Sequence, residues 1–139
     1  MFYSCTSLTT IPSDLLPATT LASYCYQNMF YNCKSLTTVP NLPATTLASY
    51  CYMSMFSGCT GLTTLPNLLP ATTLAYYCYS YMFFGCTSLT TIPSNLLPAT
   101  TMKYYCYDHM FSGCESLTTV PSDLLPATTL ASYCYSYMF

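Results

Sequence analysis

The pair Met-Phe recurs at residues 1, 29, 55, 82, 110 and 138, in steps of 28, 26, 27, 28 and 28 residues. The chain therefore reads as one array of five units, 1–28, 29–54, 55–81, 82–109 and 110–137, and the opening of a sixth. A unit of about 27 residues cannot bury its own apolar face, whereas stacked copies share one continuous core. The unit reads M-F-x-x-C-x-S-L-T-T-I-P-x-x-L-L-P-A-T-T-L-A-x-Y-C-Y-x-x. Length differences fall after its first Pro, where Ser13-Asp14-Leu15-Leu16 becomes Asn41-Leu42, which places a surface bend there. Both ends stop at the same phase, without the polar caps usual in natural arrays. The expectation is a segment of a longer array, or a subunit stacking end to end on copies of itself.

Within a unit, Leu62-Thr63-Thr64-Leu65 is short, Thr-rich and ended by Pro66, which suits a short strand. Pro66 and Pro70 bracket a turn, and Ala71-Thr72-Thr73-Leu74 suits a second strand. From Leu74 to Cys86 there is no Pro, and Leu74, Cys78, Met82 and Cys86 are spaced by four, one flank of a helix that Gly85 would stop. Stacking would align Leu8, Leu36, Leu62, Leu89 and Leu117; Ile11, Val39, Leu65, Ile92 and Val120; and Phe2, Phe30, Phe56, Phe83 and Phe111 as core columns.

The strings Phe56-Ser57-Gly58-Cys59-Thr60-Gly61-Leu62-Thr63-Thr64-Leu65-Pro66 and Phe83-Phe84-Gly85-Cys86-Thr87-Ser88-Leu89-Thr90-Thr91-Ile92-Pro93 resemble the A-F-x-x-C-x-x-L-x-x-I-x-x-P core of BspA-type leucine-rich repeats. The resemblance covers every unit. It implies a right-handed leucine-rich solenoid, and members that are often secreted or surface proteins with adhesion roles. The expected fold is thus a leucine-rich-repeat solenoid with stacked parallel short strands and a short helix per repeat. This chain departs in its added Tyr-Cys-Tyr segment and in its poverty of charge.

Only 4% of residues are charged, with two Lys or Arg and four Asp or Glu. Two basic residues cannot form a nucleic-acid footprint. Apolar residues make up 53%, too many for a disordered chain. They are cut by Thr-Thr, Ser and Pro every few residues, so no membrane span of about 20 apolar residues exists. Met1-Phe2-Tyr3-Ser4-Cys5 shows no basic leader. Proton-transfer residues are nearly missing, and the one His, His109, sits in a variable slot beside Asp108. No catalytic or cofactor-binding residue is expected.

Two cysteine columns are expected: Cys5, Cys33, Cys59, Cys86 and Cys114, and Cys25, Cys51, Cys78, Cys106 and Cys134. No C-x-x-C occurs, which leaves a metal site without support. From the second type to the next of the first the spacing is always eight. Along a helix eight residues span roughly 12 Å, beyond the reach of a disulfide. Layers roughly 5 Å apart would allow disulfides within a column. Buried free thiols are the other reading, and the resembled family fills its F-x-x-C position that way.

There are 23 Thr, mostly in Leu-Thr-Thr and Ala-Thr-Thr pairs. Thr near Pro suits O-glycosylation, with Thr19, Thr45, Thr72, Thr100 and Thr128 as candidate acceptors of a glycan coat. The function expected is a non-enzymatic extracellular or cell-surface structural and adhesive array, forming a filament or long fibre. The alternative is a leucine-rich-repeat module that binds a protein or glycan on one face.

Overall fold

A computed structural model describes residues 2–139, which leaves Met1 outside. The chain winds into stacked layers joined through the backbone. Tyr24 donates its N–H to the Ser49 carbonyl at 3.1 Å, Tyr26 to Cys51 at 3.0 Å, Asn28 to Met53 at 3.0 Å, Phe30 to Met55 at 2.9 Å and Asn32 to Ser57 at 2.8 Å. The residues between them close β-turns inside the layer: Cys25 to Ala22, Gln27 to Tyr24, Met29 to Tyr26, Tyr31 to Asn28 and Cys33 to Phe30. Every N–H from Tyr24 to Cys33 thus has a backbone acceptor, which lets an irregular path enter the core. The same alternation runs from Tyr50 to Cys59.

Every fourth residue of these runs is left-handed: Tyr24, Asn28 and Asn32 at φ 63°, 54° and 56°, then Tyr50, Ser54 and Gly58 at 60°, 53° and 73°. A turn with such a third residue has the type II sign pattern, and it alternates here with turns that lack it.

No α-helix forms among the described residues, so the helix expected over Leu74–Cys86 is corrected to this run of turns. Tyr77, Tyr81 and Gly85 are left-handed, and a right-handed helix cannot absorb such a residue every turn. Two linked turns take four residues, close to the helical 3.6. Leu74, Cys78, Met82 and Cys86 accordingly still share the interior, all at most 4% exposed.

The stacked strands are corrected as well. Isolated parallel bridges join Thr20 to Thr46, Thr46 to Thr73 and Thr101 to Thr129. In the Leu-Thr-Thr column, single bonds run from Thr37 to Thr9 and from Thr63 to Thr37. Prolines at Pro66 and Pro70 remove donors on either side of windows only a few residues long, so no ladder propagates.

The core runs along the stack. Phe2, Phe30, Phe56, Phe83, Phe111 and Phe139 form one ladder, with ring centroids 5.4, 5.4, 5.8, 5.6 and 5.9 Å apart. Leu36, Leu62 and Leu89 lie beside it, fully buried. The column of Ile11, Val39, Leu65, Ile92 and Val120 is less uniform, with Ile92 buried and Val120 exposed.

Candidate functional site: the cysteine, tyrosine and threonine columns

All ten cysteines are free thiols, eight of them buried. The F-x-x-C spacing has a geometric origin, because Phe and Cys close one turn. The Phe30 carbonyl accepts the Cys33 N–H at 3.1 Å and, from the next layer, the Cys59 thiol at 3.1 Å. The Cys33 thiol donates to Phe2 at 2.9 Å, Cys86 to Phe56 at 3.3 Å and Cys114 to Phe83 at 3.3 Å. Each such thiol fills the second lone pair of a carbonyl that already closes a turn, and a disulfide would take that proton away. In the second column, the Cys78 and Cys106 thiols aim more weakly at the carbonyls of Cys106 and Cys134, at 4.0 and 3.9 Å.

Burial holds these thiols protonated. Desolvation pushes Cys51 and Cys59 up to about 12 and Cys106 and Cys114 up to about 11, and it pushes Cys78 and Cys86 well above the usual thiol range. Cys5 and Cys25 are exposed. Iodoacetamide treatment of the folded protein is expected to alkylate Cys5 first, then Cys25, whose thiol desolvation pushes up, and the other eight only in denaturant. Equal labelling of all ten, read by intact mass and peptide mapping, would contradict the packing.

Two tyrosine ladders flank the second thiol column. The inner one, Tyr26, Tyr52, Tyr79, Tyr107 and Tyr135, has rings 5.9, 5.6, 5.6 and 5.8 Å apart. The hydroxyls of Tyr52, Tyr79 and Tyr107 are buried without a hydrogen-bond partner. Each costs about 1–3 kcal/mol, which ring burial and stacking offset. The outer ladder, Tyr24, Tyr50, Tyr77, Tyr105 and Tyr133, is tighter, at 4.7, 4.9, 4.7 and 4.7 Å. Its members all have left-handed backbones, φ between 54° and 63°. A side chain pays roughly 1–2 kcal/mol there, and Asn or Gly is the usual occupant. The left-handed column Ser4, Asn32, Gly58, Gly85 and Gly113 follows that rule more closely. Composition alone did not distinguish the two ladders, since both come from Tyr-Cys-Tyr; the φ pattern, the ring spacing and the burial separate them.

Thr19, Thr45, Thr72, Thr100 and Thr128 are all exposed, one per layer. Both members of every Leu-Thr-Thr and Ala-Thr-Thr pair face solvent, so hydroxyls cover the positions that charges hold elsewhere.

One polar cluster departs from the columns. Asp108 is buried at 5% exposure; it accepts a bond from the Ser80 hydroxyl at 3.4 Å and lies 2.9 Å from His109 Nδ1. His109 is half-buried between Tyr81 and Tyr137, at 4.5 and 4.8 Å. The order is Ser–Asp–His, with the carboxylate in the middle. A nucleophilic triad needs the imidazole there, so Ser80 has no imidazole base. Among the described residues, no three His, Cys, Asp or Glu side chains gather as metal ligands. No helix among them is long and apolar enough to cross a membrane.

The family model for the BspA type leucine rich repeat region (6 copies) matches residues 1–118. The chain belongs to the BspA-type leucine-rich repeat family. No curated protein and no solved structure matches it. BspA-type repeats are in general surface- and adhesion-type repeats and act as binding or structural modules. In this BspA-type array the two tyrosine ladders stand in the Tyr-Cys-Tyr run of each layer.

Proposed function

We propose that this protein is a non-enzymatic extracellular structural and adhesive array that extends into filaments or long surface fibres by stacking copies of itself. The carrying observation is that the Phe ladder repeats the same contact at every step from Phe2 to Phe139, 5.4–5.9 Å per rung. A further layer adds to such a stack with no new kind of interaction, as in other quasi-one-dimensional repeats. The proposed units are the five repeats 1–28, 29–54, 55–81, 82–109 and 110–137. The Thr columns form the outer coat, with Thr19, Thr45, Thr72, Thr100 and Thr128 as O-glycan acceptors that compensate for the scarcity of charge. Negative-stain electron microscopy with light scattering tests this reading. Filaments of one layer-stack width that lengthen with concentration are expected. A monodisperse monomer at all concentrations would contradict it.

A second reading is favoured by one place on the surface. Tyr76 and Tyr104 stand where other layers carry Ser, and Lys103 where they carry Ala. Tyr76 and Lys103 line an open groove of about 220 Å³ with Ser49, Leu74 and Ala75. Chemical diversity gathered on one face is what a module binding a protein or glycan partner requires. A Y76A/K103A variant that keeps its fold but loses cell-surface attachment would favour this reading.

A further inference from the structure

Tyrosine fills the outer left-handed column in all five layers, Tyr24, Tyr50, Tyr77, Tyr105 and Tyr133, although its backbone there is strained. Stacking does not require that column, because the inner ladder stacks equally flat without left-handed tyrosines. The outer rings are co-facial, with interplanar angles of 6°, 8°, 12° and 4°, and about 1 Å closer together than the inner ones. Their faces are covered by one another, so a sugar or planar ligand finds no open ring face inside the ladder. The end rings Tyr24 and Tyr133 are 56% exposed, Tyr50, Tyr77 and Tyr105 are half-buried along their edges, and Tyr104 packs at right angles against Tyr105 and Tyr133, 4.4 and 5.7 Å away. Tyr52, Tyr79 and Tyr107 of the inner ladder are 1% exposed and have no proton acceptor.

We propose that the outer ladder is a site of oxidative tyrosine coupling, in which a peroxidase-type one-electron oxidant supplied with hydrogen peroxide links phenols of successive layers. Each of two neighbouring phenols gives up one electron to the oxidant and its hydroxyl proton to water. The two phenoxyl radicals join through ring carbons next to the oxygens. Each of those carbons then releases its hydrogen as a proton, and the phenolic oxygens are reprotonated. One carbon–carbon bond forms, two carbon–hydrogen bonds break, and one hydrogen peroxide becomes two waters. The layer spacing holds the reacting rings beside each other before oxidation, and the partly exposed edge lets them tilt into bonding distance. The result is a covalent staple between residues 26 to 28 apart in sequence, for example Tyr24 to Tyr50 or Tyr77 to Tyr105. The inference holds for a fibre or for a binding module alike.

The test is limited treatment of the folded chain with hydrogen peroxide and a haem peroxidase, followed by dityrosine fluorescence and peptide mapping. The expected links are Tyr24–Tyr50, Tyr50–Tyr77, Tyr77–Tyr105 and Tyr105–Tyr133, all within one chain, with an unfolding temperature raised by roughly 10 °C per staple. The same treatment in denaturant is expected to scatter links over all tyrosines. Y77F is expected to remove both links to residue 77 and keep Tyr24–Tyr50 and Tyr105–Tyr133, while Y79F leaves the map unchanged. Links on the folded chain that fall on the exposed Tyr76 and Tyr137 as often as on the ladder would overturn the proposal, as would no coupling within the chain. The comparison of folded and denatured wild-type chain decides the matter even if a variant does not fold.

Discussion

Truncating Phe83 to Ala is expected to lower the unfolding free energy by about 3–5 kcal/mol, the range for a buried aromatic in a core that cannot collapse around the gap. Phe83 is fully buried and stacked between Phe56 and Phe111, at 5.8 and 5.6 Å. Its backbone is pinned on both sides: its N–H donates to Met110 at 3.0 Å, and its carbonyl accepts the Cys86 N–H and the Cys114 thiol. The layer therefore cannot slide to fill the hole. Domains of this size have only about 5–15 kcal/mol in total, so the loss is a large fraction of the stability. Its neighbour Phe84 is 38% exposed and outside the ladder. F84A is expected to cost under about 1 kcal/mol. Urea unfolding of both variants measures the difference, and similar midpoints would mean that the ladder does not carry the core.

Alkaline pH is expected to unfold the protein over a narrow range. Six buried thiols, Cys51, Cys59, Cys78, Cys86, Cys106 and Cys114, have folded values raised from 9.0 by desolvation. Below pH 9 both states hold these protons and pH has no effect through them. Above 9 the unfolded chain loses protons that the folded chain keeps, so stability falls as pH rises, until the folded values near 11–12 are passed. Each thiol that ionises only on unfolding contributes about 1.4 kcal/mol per pH unit. Several acting together exhaust a stability of about 5–15 kcal/mol within one to two units. The unfolding temperature should be flat from pH 6 to 8 and drop steeply from about pH 9.5. C78A should lessen the slope whatever it does to the starting stability. A temperature unchanged to pH 11 would show that the thiols are not buried as protonated groups.

The array was readable from the spacing of Met-Phe, and the family from Phe56-Ser57-Gly58-Cys59 and its equivalents. The interior was readable too: Leu74, Cys78, Met82 and Cys86 are buried as their spacing requires. The secondary structure was not. A period of four fits a helix and fits a run of paired turns, and side-chain hydrophobicity is the same in both. The sign of φ at Tyr77, Tyr81 and Gly85 separates them, and of these only Gly85 announces itself in a sequence. Thr63-Thr64 and Thr72-Thr73 suggested strands by residue type, but the nearby prolines keep each bonded stretch too short to become one. The outer tyrosine ladder was invisible for the same reason as the turns. Tyrosine at a left-handed position breaks the rule from which such positions are inferred.

The protein is a stack of turns bonded alternately within and between layers. Scalar couplings across hydrogen bonds, measured by NMR on isotope-labelled protein, report each donor–acceptor pair directly. The Phe56 amide is expected to couple to the Met82 carbonyl and the Met55 amide to the Tyr52 carbonyl, as their bonds of 3.0 and 3.2 Å require. A Phe56 amide coupled instead to the Tyr52 carbonyl, four residues back, would make this segment a helix and contradict the account.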